Sequence, residues 1–469
     1  MLGWEFPPFI SGGLGTACYG LTRGLDRLGV SVLFVLPQSV EGTEATHVNI
    51  LSPSVSTDAD LPENVFEPTR AAVSDSGETP PDFQRVEFHA VEAALRPYES
   101  APLPTDAPLS AGAADPSETV LSVSMDSEPT AGGPVDSDGA AQPREQGPDA
   151  GPVDVSTAAG PGRHYGGDLF SEVERYARSA YGIARRSEFD VIHAHDWMTF
   201  PAGMAVANLS GKPLVVHVHS TEFDRSGLHV NQRVYDIERA GMHAAARVIC
   251  VSYLTRNMVV GRYGVDPRRV EVVYNAIDDN GPARRNLPAI SKDEKIVLFL
   301  GRITMQKGPE YFLAAAKRVL GIMDNVRFIM AGSGDMIRRT IELAAEMGIG
   351  HKVLFTGFLR GDDVRRVFRM ADLYVMPSVS EPFGITPLEA LSNDVPVLIS
   401  KQSGVAEVLT HALKVDFWDI DEMANKIVAV LRHPPLHATL RDHGGIEVQS
   451  FSWNDAAAAC VKVYKLALG

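Results

Sequence analysis

The residues best suited to chemistry are two carboxylates and two cations. Glu381 and Glu389 lie eight residues apart in SEPFGITPLEALSNDVPVLIS (380–400), around a Pro-Phe-Gly turn, and Arg302 and Lys307 lie in GRITMQKG (301–308). Pro387 suits a first helical position, so a helix starts between the two glutamates. Two cations past the carboxyl end of a strand can hold a diphosphate without metal. A helix start aimed at the same point adds N–H groups and a positive dipole end. Carboxylates would repel such an anion, so they are read as facing the neutral hydroxyls on either side, one the ribose and the other a sugar. That pattern suits a sugar nucleotide better than a plain dinucleotide. Two basic residues alone would suit a solvated loop, and the helix start between the glutamates is what turns the reading toward an anion. AGSGD (331–335), with Gly332, and TGFLRGDDV (356–364), with Phe358 and Leu359, repeat the strand–turn arrangement. Glycine there admits a ligand close to the backbone, and an ordinary strand–helix turn explains it equally well.

Such residues need strands to carry them, and the pattern supplies these. Ahead of residue 280, a helix with Leu14, Cys18, Leu21, Leu25 and Leu28 on one face precedes the strand SVLFVLP. A helix over 168–187 follows, then the strands DVIHAH, PLVVHVHS and RVICVS with helices between them, then the shorter VEVVYN. KIVLFLGRI restarts the rhythm, followed by VRFIMAG, KVLFTG, DLYVMPS and VPVLIS, each separated from the next by a helix. Continuous apolar strands alternating with amphipathic helices mean parallel sheets covered on both faces. The fold class is α/β with two doubly wound domains, and 278–293 reads as the linker. MLGWEFPPF resembles the end of a first strand, cut short to Met1–Trp4.

At 469 residues the chain exceeds one hydrophobic core. The net charge of −16 is local: residues 41–162 hold 22 acidic residues, 4 arginines and no lysine. The remainder carries a net +2, which argues against a concentrated nucleic-acid-binding face. Residues 100–162 are rich in Ala, Pro, Ser, Gly and Asp and read as a disordered insertion, an inert spacer rather than a regulatory tether. No apolar run spans a bilayer and no basic-then-apolar leader opens the chain, so a cytoplasmic location is expected. Three scattered cysteines, Cys18, Cys250 and Cys460, make neither a disulfide framework nor a zinc framework.

SEPFGITPLEA, with GRITMQKG upstream, closely resembles the donor motif of the retaining glycosyltransferases of family 4, the group containing bacterial glycogen and starch synthases. EFPPFISGGLGTA resembles their opening loop, HAHDW a synthase-like motif, VHVHSTEFDR the stretch with their active-site histidine, and FSWNDAAAACVKVYKLAL their closing helix. Any one motif is weak, and five in order are strong. The resemblance implies a GT-B fold, two Rossmann-like domains facing a central cleft. It divides the chain into an acceptor-side domain (1–280), a donor domain (281–450) and a crossover helix (451–469).

By that resemblance Arg302 and Lys307 stabilise the leaving diphosphate, Glu381 contacts the donor sugar and Glu389 holds the ribose. Phe383, Gly384, Ile385 and Thr386 present backbone groups to sugar and phosphate. His219 sits near the transferred sugar, Asp196 lines the acceptor side, and Gly13 and Gly15 approach the phosphates from the other domain. Gly332, Phe358 and Leu359 complete the donor site. The expected activity is retaining, metal-independent transfer of a hexose, with glucose first, from a nucleoside-diphosphate sugar to a glucan or other hydroxyl acceptor. The alternatives are a sugar-nucleotide epimerase of the same fold and an inactive sugar-nucleotide-binding protein. No cofactor is expected beyond the donor substrate, UDP- or ADP-glucose. Ser11 stands where ADP-glucose-using synthases usually have a lysine, which weighs against ADP-glucose. The expected partners are the nucleotide sugar and a carbohydrate acceptor, with no nucleic acid and no integral membrane segment.

Three further motifs receive plain readings. His193 and His195 share a strand face without an evident third metal ligand, so packing and hydrogen bonding are expected. Asp136 and Asp138 fall in the insertion, and Asp419 with Asp421 reads as a helix cap. Since the insertion lacks the apolar residues a core requires, deleting 101–160 should leave melting temperature and turnover nearly unchanged. A large fall in either would show that the segment is structural.

Overall fold

The computed structural model describes residues 1–6, 13–37, 50–51, 86–90, 169–277 and 294–469. The acidic insertion with Asp136 and Asp138, the linker 278–293 and Ser11 lie outside the described residues. After the extended stretch at Met1–Trp4 come α1 (Gly13–Arg27), β1 (Val32–Leu36), β2 (Ile50–Leu51) and β3 (Val86–Ala90). The amino-terminal half continues through α2 (Leu169–Ala184), β4 (Ile192–His195), α3 (Phe200–Ser210), β5 (Leu214–Val218), α4 (Glu222–Ser226) and α5 (Gln232–Ala244). It ends with β6 (Arg247–Cys250), α6 (Tyr253–Tyr263) and β7 (Val270–Val272). The second half runs β8 (Lys295–Leu300), α7 (Pro309–Leu320), β9 (Val326–Ala331), α8 (Ile337–Glu346), β10 (Val353–Gly357) and α9 (Asp362–Met370). Then follow β11 (Leu373–Met376), α10 (Ile385–Ser392), β12 (Val397–Ser400), β13 (Leu413–Val415), α11 (Ile420–Arg432), α12 (Pro434–Val448) and α13 (Trp453–Leu468).

The strands form two parallel systems. In the second half the order is β10-β9-β8-β11-β12-β13. The order reverses beside β8, and a doubly wound sheet opens its ligand crevice at such a point. In the first half β2-β3-β1 and β4-β5-β6-β7 are joined through Leu2, which bridges both Val35 and Ala194. The Leu2 amide donates to His193 O at 2.7 Å and the His195 amide to Leu2 O at 3.0 Å. Met1–Trp4 therefore acts as the strand between β1 and β4.

Both faces of each sheet are covered, which is why the strands read as unbroken apolar runs. Val297, Phe299, Phe312, Leu313 and Phe328 pack on one side of the second sheet, and Ile296, Leu298, Ile329, Leu388 and Val397 on the other. The last helix returns to the first half: Trp453, Ala457 and Cys460 of α13 pack with Cys18, Leu21 and Leu25 of α1.

The sequence reading departs from the structure in a few places. Leu28 lies past the end of α1, 47% exposed, because Gly29 at φ +80° turns the chain out of the helix. The single helix expected between PLVVHVHS and RVICVS is two, α4 and α5. Asp419 does cap α11, accepting from the Glu422 amide at 2.9 Å.

The α1–α13 contact depends on absent side chains. A Cβ on Gly24 would collide with the carbonyl of Trp453, whereas one on Gly182 in α2 would meet nothing within 4 Å. Gly24→Ala should therefore lose about 1–3 kcal/mol by overpacking. Gly182→Ala should gain about 0.5–1 kcal/mol from helix propensity. Urea unfolding of the two variants checks this, and equal shifts would mean that α1 and α13 do not meet this closely.

Candidate active site

The expected site residues lie at the carboxyl ends of the strands, where loops meet helix starts. On the second sheet, Arg302 follows β8 and Lys307 ends a 3-10 turn at Met305–Lys307. Gly332 follows β9 at φ +140°, and a Cβ there would strike the carbonyl oxygen of Gly301. Two strand-end loops cross at that point, so glycine is required by backbone against backbone. Phe358, after β10, is 49% exposed and carries the Arg360 guanidinium 5.2 Å from its ring centroid. Leu359 instead packs partly buried against the core.

The loop after β11 carries Glu381, 7% exposed. Lys307 Nζ donates to Glu381 Oε2, and Ser378 Oγ donates to the same oxygen at 3.2 Å. The expected diphosphate cation and the expected sugar carboxylate thus form an ion pair. Phe383 is buried against Tyr274, and its carbonyl accepts from the Val405 amide at 2.7 Å, so its backbone oxygen is committed to the fold. Gly384 at φ +101° begins α10, a conformation that disfavours a side chain. Neither an acidic residue nor a capping side chain occupies the first turn, so the amides at Ile385 and Thr386 have no capping side chain. Glu389 lies further along α10, and burial pushes its carboxyl up from 4.5 to about 7. No described residue donates a hydrogen bond to that carboxylate.

From the first sheet, α1 begins at Gly13 with no acidic residue in its first turn. A Cβ on Gly13 would lie 4.0 Å from Ile385 Cδ1. The starts of α1 and α10 therefore meet. Gly15 is buried two residues further into the turn. α10 starts without a capping side chain and α1 without an acidic residue in its first turn, so both helix starts favour an anion nearby.

Asp196 and His219 follow β4 and β5. Asp196 sits at φ +58° and Asp196 Oδ1 accepts from the amides of His219 at 2.7 Å and Ser220 at 3.3 Å. It therefore fixes the loop that carries His219. Burial raises the Asp196 carboxyl to about 7, against the pull of Arg225 and of the two amides. Burial holds His219 down at about 3, so its imidazole is neutral and bonds His195 Nδ1 through Nε2 at 2.9 Å.

Several contributors escaped the sequence reading. Asp224, whose carboxylate accepts from the Thr221 amide, also accepts from Ser380 Oγ across the cleft at 2.6 Å. Arg225 bridges Glu222 (3.2 Å) and Glu238 (2.5 Å), and Glu238 also takes the Tyr263 hydroxyl. Both glutamates are almost fully buried, so this network fixes α4 firmly. All of it lies around the quoted VHVHSTEFDR, but the partners are 13–156 residues away in sequence.

Two family models match in tandem: Glycosyltransferase Family 4 over residues 139–280 and Glycosyl transferases group 1 over 282–444. An uncharacterized glycosyltransferase of Methanocaldococcus jannaschii is 33% identical over 306 residues, 61% of this chain and 78% of that protein. This chain is a family 4 glycosyltransferase. A D-inositol 3-phosphate glycosyltransferase of Mycobacterium tuberculosis is 29% identical over 60% of this chain and 62% of its own length. Sucrose-phosphate synthase from Thermosynechococcus elongatus superposes with a TM-score of 0.55 at 23% identity, covering 63% of this glycosyltransferase and 78% of that chain. Anabaena HepE in complex with UDP-glucose gives 0.53 at 21% identity, covering 62% and 81%. These likenesses and the two parallel sheets establish the GT-B fold for the glycosyltransferase. No described helix is long and apolar enough to cross a membrane.

The Asp196 arrangement generates a test. Its folded-state pKa lies above the unfolded value, so the native state binds the extra proton between about pH 4 and 7. Stability from this group is greatest at low pH and falls as pH rises through that window. Asp196→Asn keeps an acceptor oxygen and tolerates positive φ, but has no charge to bury. Relative to wild type it should gain roughly 2–3 kcal/mol between pH 5 and 8. Urea unfolding at both pH values measures this, and a constant difference would place the Asp196 carboxylate in water.

Proposed function

We propose that this glycosyltransferase moves a hexose, glucose first, from a nucleoside-diphosphate sugar to a carbohydrate hydroxyl, with retention and without a catalytic divalent ion. The observation that carries the reading is the meeting of the α1 and α10 starts beside the loops of Arg302 and Lys307. As the bond between the sugar and the diphosphate breaks, negative charge grows on the leaving oxygen. Preorganised N–H groups and cations that receive this charge lower the barrier. Lys307 is held by Glu381, whose carboxylate Ser378 also anchors, so its charge is oriented before the donor arrives. Glu381 then serves the donor through Lys307 as well as by facing the sugar. Glu389, half-buried and without a described donor, suits ribose hydroxyls, which supply the missing hydrogen bonds. The exposed Phe358 offers a face for the base, and neutral His219 can exchange a hydrogen bond with a sugar hydroxyl.

UDP-glucose is the first donor to test, supported by its presence in the HepE structure. The curated relatives are named for differing acceptors, so a glucan stands as one acceptor among carbohydrate hydroxyls.

Nucleotide release should be measured across UDP- and ADP-sugars, with and without malto-oligosaccharides and other polyols. Acceptor-dependent release is expected, unaffected by brief EDTA treatment. Arg302→Ala and Lys307→Ala should each cost roughly 2–4 kcal/mol of barrier, chiefly in kcat. Donor turnover to a new sugar nucleotide without acceptor would identify an epimerase. Near-wild-type turnover in both variants would move the diphosphate elsewhere.

A further inference from the structure

The donor site leaves one constellation unused. His193 and His195 project from the same face of β4, and His217 from β5, where His195 pairs in register with His217. All three are at most 3% exposed. His193 Nε2, His195 Nε2 and both ring nitrogens of His217 have no hydrogen-bond partner among the described residues. One candidate ligand nitrogen from each ring lies within 4.8 Å of the others. The remaining nitrogens are oriented. His193 Nδ1 meets Tyr464 Oη of α13 at 2.7 Å, and His195 Nδ1 meets His219 Nε2 at 2.9 Å. Metal-ligating histidines typically have this arrangement, with one nitrogen on the ion and the other anchored by a hydrogen bond.

We propose that His193, His195 and His217 are the ligands of a buried site for a borderline divalent transition metal, zinc being the expected ion. Three neutral imidazoles with no carboxylate select zinc, cobalt, nickel or copper over magnesium and calcium. Burial keeps all three rings neutral, so their lone pairs are available without displacing protons. The rings stack at interplanar angles of 8–30°. A lone pair lies in its ring plane, so the rings must turn to converge, drawing the nitrogens to about 3.4 Å apart for 2.0–2.1 Å bonds. The ion would tie β4 to β5 beneath α13. It would also require His195 Nδ1 to donate, which makes His219 Nε2 the acceptor and leaves the His219 proton on Nδ1. The metal thus positions a proton near the cleft without touching the donor.

The test uses tag-free full-length protein. Purified from zinc-supplemented medium, it should hold about one zinc per chain by plasma mass spectrometry. Cobalt added to the metal-stripped chain should produce visible ligand-field absorption. His217→Gln and His193→Gln should each lose at least about tenfold in cobalt affinity. His443→Gln, which alters the stacked surface pair His411–His443, should leave affinity unchanged. Circular dichroism confirms that each variant is folded. If stripped wild type shows no cobalt absorption and purified protein no zinc, the proposal fails whatever the variants do, and internal water satisfies the imidazoles. Metal content that survives in folded His217→Gln and His193→Gln also overturns it. Since neither readout uses turnover, failure here leaves the transferase reading intact.

Discussion

The first turn of an α-helix displays N–H groups that nothing within the helix can satisfy, and two such turns meet at the heart of this molecule. α1 and α10 begin at Gly13 and Ile385, in reach of one another and free of acidic side chains in their first turns. Much of the surrounding architecture serves to hold them there. β8 and β11 deliver the cationic loop and the Glu381 loop to the same edge, while Leu2 knits β1 to β4 beneath α1. Such an arrangement concentrates positive potential without mobile ions, and the Glu381 carboxylate beside it is paired with Lys307.

A second layer of constraint surrounds that edge. Buried charge is tolerated when it is paired and hydrogen-bonded, and here the buried Glu222 and Glu238 share the Arg225 guanidinium while Glu238 also takes the Tyr263 hydroxyl. α4 has only five residues and could not persist through helix propensity alone. The network gives it rigidity, and Asp224 uses that rigidity to reach Ser380. A short helix so anchored contributes to register across the cleft more than to bulk stability.

The legible parts of this protein are those fixed by local chemistry. β8 to β12 are apolar runs with turns after them, and Pro387 marks its helix start by covalent geometry. β2, β3 and β13 span two, five and three residues and carry too little pattern to be read. That Arg302, Lys307 and Glu381 lie in loops after strands was legible, but their partners were not. Lys307 and Glu381 are 74 residues apart, and Asp224 and Ser380 156. Pairs at that range are set by how the sheets stack. The histidine cluster shows the same limit. The spacing of His193 and His195 was visible, while the alignment of His217 with His195 depends on strand register, which no local pattern encodes.

One contact between the halves has a mechanical meaning. Glu407, in the turn after β12, accepts from the amides of Tyr253 and Leu254, the first residues of α6. A helix in the first half is thus capped by a carboxylate of the second, and Ser252 Oγ adds a bond to Pro382 O at 2.5 Å. Separating the halves would take that carboxylate from the first turn and leave Ser252 Oγ, which accepts from the Thr255 amide at 3.0 Å, as the cap within the first half. The amide protons of Tyr253 and Leu254 are shielded from solvent exchange only while the two halves stay together, which makes them a built-in gauge of cleft opening.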